Sequence, residues 1–209
     1  MNYFLIQSGF LVLILLLLSL ATPLKAQEAN NPLRGRDFLI GEVESVSGFG
    51  GPLIEFSTID EKFVVSFGGG GAVLINQELF FGAYGLSLSN TRSRVSTVGE
   101  RNRLKLNHGG LWMGYILDSD YLLHWVFSSR LGWGKFSMEE NGTGNELFSD
   151  NVFVFEPEAY LEANINYWMK IKAGIGLRIA AGVNNDFYEN NDLFSPTGTI
   201  GFVFGWFKE

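Results

Sequence analysis

From Trp168 to Ala181 the side chains alternate in character without a break. Met169, Ile171, Ala173, Ile175, Leu177 and Ile179 fall on one face, and Lys170, Lys172, Gly174, Gly176, Arg178 and Ala180 on the other. Successive side chains of a strand point to opposite faces, so this segment has one wholly apolar face and one that is polar or nearly bare. Such a period of two excludes an amphipathic helix and demands a sheet. Tyr121 to Phe136 repeats the pattern, with Tyr121, Leu123, Trp125, Phe127, Leu131 and Trp133 opposite His124, Ser128, Arg130, Gly132 and Gly134. Val152 to Asn164 sets Phe153, Phe155, Pro157, Ala159, Leu161 and Ala163 against Glu156, Glu158, Tyr160, Glu162 and Asn164. Gly198 to Phe207 sets Ile200, Phe202, Phe204 and Trp206 against Thr199, Gly201, Val203 and Gly205.

Four earlier segments read as strands with less contrast: Gly48 to Ile59, Lys62 to Ile75, Glu78 to Ser89, and Arg103 to Leu117. Their second face is mostly Gly, Ala and Ser, with Glu55 its one charge. In Arg103 to Leu117, Leu104 and Leu106 fall on the face expected to be polar. The total is eight strands, an even number, as single-chain bacterial membrane barrels have. The connections are Asp60-Glu61, Asn76-Gln77, Asn90 to Asn102, Asp118 to Asp120, Ser137 to Asn151, Ile165 to Tyr167, and Gly182 to Thr197. After the first, short and long alternate strictly, which matches barrels with short periplasmic turns and longer external loops.

The chain begins with an apolar run, Leu11 to Leu20, followed by Ala21-Thr22-Pro23-Leu24-Lys25-Ala26. That is the pattern of a signal peptide, here without Lys or Arg before the run, and cleavage is expected after Ala26. Residues 27–47 read as a polar periplasmic linker, with a short strand at Phe38-Leu39-Ile40, and residues 48–209 as an outer-membrane β-barrel. No second run has that apolar length, so no other helix is expected to cross a bilayer. The absence of Cys removes disulfides, thiolate metal sites and a lipidated cysteine anchor. A net charge of −7 argues against nucleic acid as a partner.

A soluble barrel holds its apolar face inward, and a membrane barrel holds it outward. Two features favour the outward assignment. The second face is rich in Gly, Ala and Ser, which suits a crowded interior. Rings such as Tyr115, Tyr121, Trp125, Trp133 and Trp206 stand near strand ends, where aromatic girdles meet the two membrane interfaces. The fold expected is therefore all-β: a transmembrane antiparallel up-and-down barrel of about eight strands, with both termini periplasmic. Its lumen receives Glu55, Glu156, Glu158 and Glu162 together with Arg130, Lys170, Lys172 and Arg178. Four acids face four bases, so a salt-bridged plug is expected, with Glu162 opposite Lys170 and Arg130 near Glu156 or Glu158.

Gly48-Phe49-Gly50-Gly51-Pro52, Lys62-Phe63, Gly68 to Gly71, Ile75-Asn76 and Phe81-Gly82-Ala83-Tyr84-Gly85-Leu86 resemble segments of small eight-stranded outer-membrane barrels of the Bacteroidota. The resemblance spans Gly48 to Phe207 and implies barrel type, with no activity attached. Phe202-Val203-Phe204-Gly205-Trp206-Phe207 resembles the aromatic closing strand read by the barrel-assembly machinery, which the resemblance implies as a partner beside outer-membrane lipid. Lys208 and Glu209 depart from it by following the terminal ring.

Motifs for chemistry are weak. Gly68 to Gly71 lacks the Lys-Ser or Lys-Thr and the helix of a phosphate loop, and reads as strand backbone under close approach. His124, Ser128 and Glu158 suggest a lipid-modifying hydrolase, but His124 and Ser128 lie roughly 13 Å apart along one strand, beyond a direct bond. His108, the only other histidine, is expected to face Arg130 across the strand pair. Asn184, Asn185, Asp186, Glu189, Asn190, Asn191 and Asp192 crowd the last loop without the spacing of a calcium hand, and read as solvated. Asn141-Gly142-Thr143 fits a glycosylation sequon and reads as a turn. No catalytic residue, metal ligand or cofactor is assigned. The expected function is non-enzymatic, structural or surface-binding through the external loops. The alternatives are a narrow porin-like channel, a lipid-modifying barrel enzyme, and a soluble lipocalin-like periplasmic barrel.

Overall fold

The computed structural model describes residues 43–88, 91–92, 102–140 and 145–207. The signal peptide with its cleavage point, the linker up to residue 42, the sequon at Asn141, and Lys208 and Glu209 lie outside them.

Two tight turns show how the chain reverses. Asp60 and Glu61 have φ of 50° and 63°, and Asn76 and Gln77 have 53° and 60°. Paired positive φ values match the right-handed twist of a two-residue hairpin. The first turn joins β1 (Val46–Ile59) to β2 (Lys62–Ile75), and the second joins β2 to β3 (Leu79–Leu88). Asn76 secures its turn by accepting the backbone N–H of Glu44 and Ser45 on its side-chain oxygen, at 2.8 and 3.2 Å. Then follow β4 (Thr91–Arg92), β5 (Asn102–Ile116), β6 (Leu123–Glu140), β7 (Glu146–Asn166), β8 (Met169–Ala181), the short helix α1 (Asn190–Leu193) and β9 (Ser195–Gly205).

Every pairing is antiparallel; each strand pairs with the next in sequence, except that β3 pairs with β5 rather than β4, and β9 returns to pair with β1. Both β3 and the two-residue β4 lie along β5, so they form one interrupted wall strand and the ring has eight. Following paired residues once around, Val46 leads to Ile75, Leu79, Tyr115, Phe127, Ala159, Ile175, Gly198 and then Phe56. The ring therefore closes with a stagger of ten residues along β1. With ~3.3 Å per residue and ~4.8 Å between strands, that stagger tilts the strands by about 40° and gives a backbone radius of about 8 Å.

Three loop assignments need correction. Ser137 to Asn151 is mostly strand, because β6 runs to Glu140 and β7 starts at Glu146. Its inward Met138 is fully buried, and its rim carries the ion pairs Lys105–Glu139 at 2.5 Å and Lys135–Glu146 at 2.7 Å. The stretch Gly182 to Thr197 contains α1 and the first residues of β9. Asn90 to Asn102 contains β4.

The apolar faces of β2 and of β6 to β9 point outward. Strand β3 departs from the expectation of a small-residue interior, because Phe80, Tyr84, Leu86 and Leu88 point inward and Ala83, Gly85 and Ser87 face out. Ile175 is 75% exposed, Phe63 67%, Trp133 61% and Trp125 50%, while Glu55, Arg130, Glu156 and Arg178 have no exposure at all. No charged residue occupies an outward position between Phe63 and Ile75, Leu123 and Trp133, Phe153 and Ala163, or Ile171 and Ala181. Trp125 and Trp133 on β6 bracket this belt. Eight residues at that tilt span about 20 Å, close to the apolar height of an outer-membrane barrel. The antiparallel up-and-down barrel of eight strands expected from the alternation is the fold observed.

Candidate functional site

The interior is layered. At the loop end, Leu104 and Leu106 point inward and pack with Ile59, Val64, Phe136, Met138 and Val154. Two residues of the last loop, Tyr188 and Leu193, join this layer from above. The Tyr188 ring lies 5.3 Å from Phe136 and 5.8 Å from Phe148. The loop is held by several backbone contacts. Asp60 N–H donates to the Asp192 carbonyl at 2.9 Å, and Arg178 Nε donates to the Leu193 carbonyl at 3.1 Å. The Asp150 carboxylate accepts from Asn184 N–H and Asn185 Nδ2 at 2.9 and 2.6 Å. These contacts employ the Asn/Asp-rich stretch in capping and turns.

Below lies the charged layer. Arg130 Nη2 meets three carboxylates: Glu55 at 2.5 Å, Glu158 at 2.8 Å and Glu156 at 3.2 Å. Its guanidinium stands 5.3 Å from the Tyr84 ring centre. Glu158 also accepts from Thr199 Oγ1 at 2.8 Å and Ser128 Oγ at 3.2 Å. Arg178 Nη1 donates to Ser57 Oγ at 3.0 Å and lies 3.6 Å from Glu55, and its Nη2 donates to the Thr58 carbonyl at 2.7 Å. Carboxylates from β1 and β7 thus converge on bases from β6 and β8. Each is desolvated, and each is held by an opposite charge, the arrangement that makes burial of ions tolerable.

Further toward the short turns lies an aromatic layer. Trp112 makes edge contacts with Phe49 and Phe80 at 5.6 and 5.1 Å. Lys172 Nζ sits between rings, 4.2 Å from the Trp112 centre and 4.4 Å from Tyr160. Glu162 is the direct cross-strand neighbour of Lys172, yet its ion pair is with Lys170, reached diagonally at 3.3 Å. Lys170 in turn lies over Phe207 at 4.3 Å.

All eight charged residues expected in the lumen are buried inside the ring. The histidines are placed differently from a hydrolase arrangement. His124 Nε2 meets Glu162 at 3.3 Å and its Nδ1 meets the Tyr121 carbonyl at 3.0 Å. Ser128 instead bonds Glu158 and accepts from Trp112 Nε1 at 3.4 Å. His108 does not face Arg130 across the strand pair, since its partner is Gly134 and that of Arg130 is Trp112; its Nδ1 pairs with Tyr84 Oη at 3.1 Å. Reading charges alone missed Tyr84, Trp112, Tyr160 and Thr199. Tyr160 and Thr199 already stood on the polar faces of β7 and β9, and Trp112 shares the parity of Leu104 and Leu106 on β5; on β3 the small residues Ala83, Gly85 and Ser87 pointed to the opposite face from Tyr84.

No protein-family model matches the chain, and no curated protein matches it by sequence. Solved structures do match by shape. Neisserial surface protein A aligns with a TM-score of 0.53 at 10% identity, over 76% of this chain and 96% of that one. A major outer membrane protein from Thermus thermophilus aligns with 0.51 at 9% identity, over 77% and 99%. Ail, the attachment invasion locus protein of Yersinia pestis, aligns with 0.48 at 13% identity, over 77% and 97%. At these identities the likeness is one of fold, and the fold of this chain is that of a small eight-stranded outer-membrane β-barrel.

Proposed function

We propose that the protein is a non-enzymatic outer-membrane barrel with both termini in the periplasm. Its interior is closed to ions, and its role is structural or surface-binding at the loop end. The observation that carries this reading is the stack of three interior layers over the ring's whole height, with Tyr188 and Leu193 folded onto the loop-side layer. A radius of about 8 Å leaves an interior that side chains fill, as eight-stranded barrels do. The uncharged outward belt between Trp125 and Trp133 supports insertion in a bilayer rather than solution in the periplasm. Both ends of the described barrel, Val46 and Gly205, lie at the short-turn end, which in such barrels faces the periplasm. The aromatic β9 is the segment that the barrel-assembly machinery would read, and the resemblance to barrels of the Bacteroidota fits the same setting.

The test is planar-bilayer recording on folded protein, first shown to be folded by a gel band that shifts on heating. A flat current is expected for the wild type. Discrete conductance steps, altered by Lys172→Ala or Glu158→Ala, would establish the narrow channel instead. A heat-indifferent band in the soluble periplasmic fraction would overturn the membrane reading itself.

A further inference from the structure

The outward wall is not uniformly covered. On the row just inside the loop-side edge, the paired residues are Gly85, Gly109, Trp133, Phe153 and Ala181. Trp133 therefore stands as a ridge between two open grooves. One, of about 450 Å3, runs over Gly85 and Gly109 beside Phe67. The other, of about 840 Å3, runs along Phe153 and Ala181. Asn107 borders both.

Gly109 is explained by close approach, because a side-chain carbon there would meet the Tyr84 carbonyl at 2.8 Å. Gly85 is not. A carbon added at Gly85 meets nothing within 4 Å, and glycine weakens a strand. Its effect is to leave the first groove open.

One row further out the outward residues are all polar: Ser87, Asn107, Lys135 and Asn151 are successive cross-strand partners. Lys135 has a side chain 51% exposed and pairs only at the surface with Glu146. Lys105, its diagonal neighbour on β5, is 41% exposed and pairs with Glu139. Exposed ion pairs of this kind hold weakly, so both ammonium groups are available to a stronger anion. Apolar grooves below a hydrogen-bonding, cationic row form the profile of a lipid, with acyl chains below and an anionic headgroup above.

We propose that the wall around Trp133 is a binding site for a phosphorylated, multiply acylated lipid of the leaflet at the loop end. Its chains lie in the two grooves on either side of Trp133, and its phosphate sits over Asn107 and Lys135. This rests on the membrane reading above.

Reconstitution of the full chain into phosphatidylcholine vesicles tests it. A minor fraction of either brominated phosphatidylglycerol or brominated phosphatidylcholine is included, and Trp133→Phe identifies the Trp133 part of the fluorescence. The anionic brominated lipid is expected to quench Trp133 several-fold more than the zwitterionic one. Gly85→Leu, which fills the groove, and Lys135→Gln, which removes the cation, are each expected to abolish that excess. Both variants are checked for the heat-shifted folded band. Equal quenching by the two lipids in the wild type, or an excess kept in both variants, would overturn the site while leaving the barrel in its membrane. No quenching by either lipid would instead refute membrane insertion.

Discussion

Arg130→Met is the sharpest test of the charged layer. The guanidinium has no exposure, and Glu55, Glu156 and Glu158 all converge on its Nη2 within 3.2 Å. After the substitution, among the described residues, Arg178, 3.6 Å from Glu55, is the base left within ion-pair distance of these carboxylates. Removing one partner of a buried ion pair costs about 3–5 kcal/mol, because the remaining charge is stranded. Here three charges are stranded, so the upper part of that range is expected, a fall of more than three decades in the folding constant at ~1.4 kcal/mol per decade. Glu156→Gln should behave oppositely. Neither carboxylate oxygen of Glu156 makes a hydrogen bond, and it crowds two like charges around a single base. Its neutral isostere should cost less than about 1 kcal/mol or stabilise. The assay is reversible urea unfolding in phosphatidylcholine vesicles, followed by tryptophan fluorescence. Should Arg130→Met fail to fold, adding Glu156→Gln should recover folded protein by relieving one stranded charge. Equal losses for the two single variants, or a loss under about 1 kcal/mol for Arg130→Met, would mean that the interior is wet enough to screen these charges, and would refute the reasoning.

Ile175 stands at the centre of β8 and faces outward, so Ile175→Lys should cost about 2–4 kcal/mol in a bilayer, against almost nothing if this face met water; vesicle unfolding reads the difference. Tyr188→Ala removes a ring between Phe136 and Phe148, and should loosen the last loop while the wall stays intact. Limited proteolysis should then cut within 182–194 and leave a heat-shifted barrel; unchanged resistance would refute the anchoring role. Glu61 holds a φ of 63°, which costs a side-chain-bearing residue about 1–2 kcal/mol. Glu61→Gly should therefore stabilise by about 0.5–1 kcal/mol once glycine's own entropy is subtracted, measurable by the same unfolding assay.

Wherever one face of a strand meets a uniform environment, the sequence alone determined the strand. Lys62–Ile75 was legible to the residue, and the alternation in Met169–Ala181 put Lys170, Lys172 and Arg178 on one face, because a period of two needs no knowledge of the partner. The same parity held Glu156, Glu158 and Glu162 together on β7. The strand ends within Ser137 to Asn151 were not legible, because Glu139, Glu146, Ser149 and Asp150 interrupt the hydrophobic alternation there; what fixes them is the pairing of β6 with β7 and the packing of Met138 and Phe148 on the loop-side layer. Leu104 and Leu106 looked misplaced within β5, since what makes them fit is an inward layer built by Met138 of the neighbouring β6 and by Ile59 of β1, far away in the chain. Partner choice also belonged to the tertiary structure. Glu55 and Arg130 stand 75 residues apart, and only the closure of the ring with its ten-residue stagger brings them to one height. That same geometry gave Lys170 to Glu162 and left Lys172 between Trp112 and Tyr160. Local alternation decides which way a side chain points, but the tilt and stagger of the closed barrel decide what it meets there.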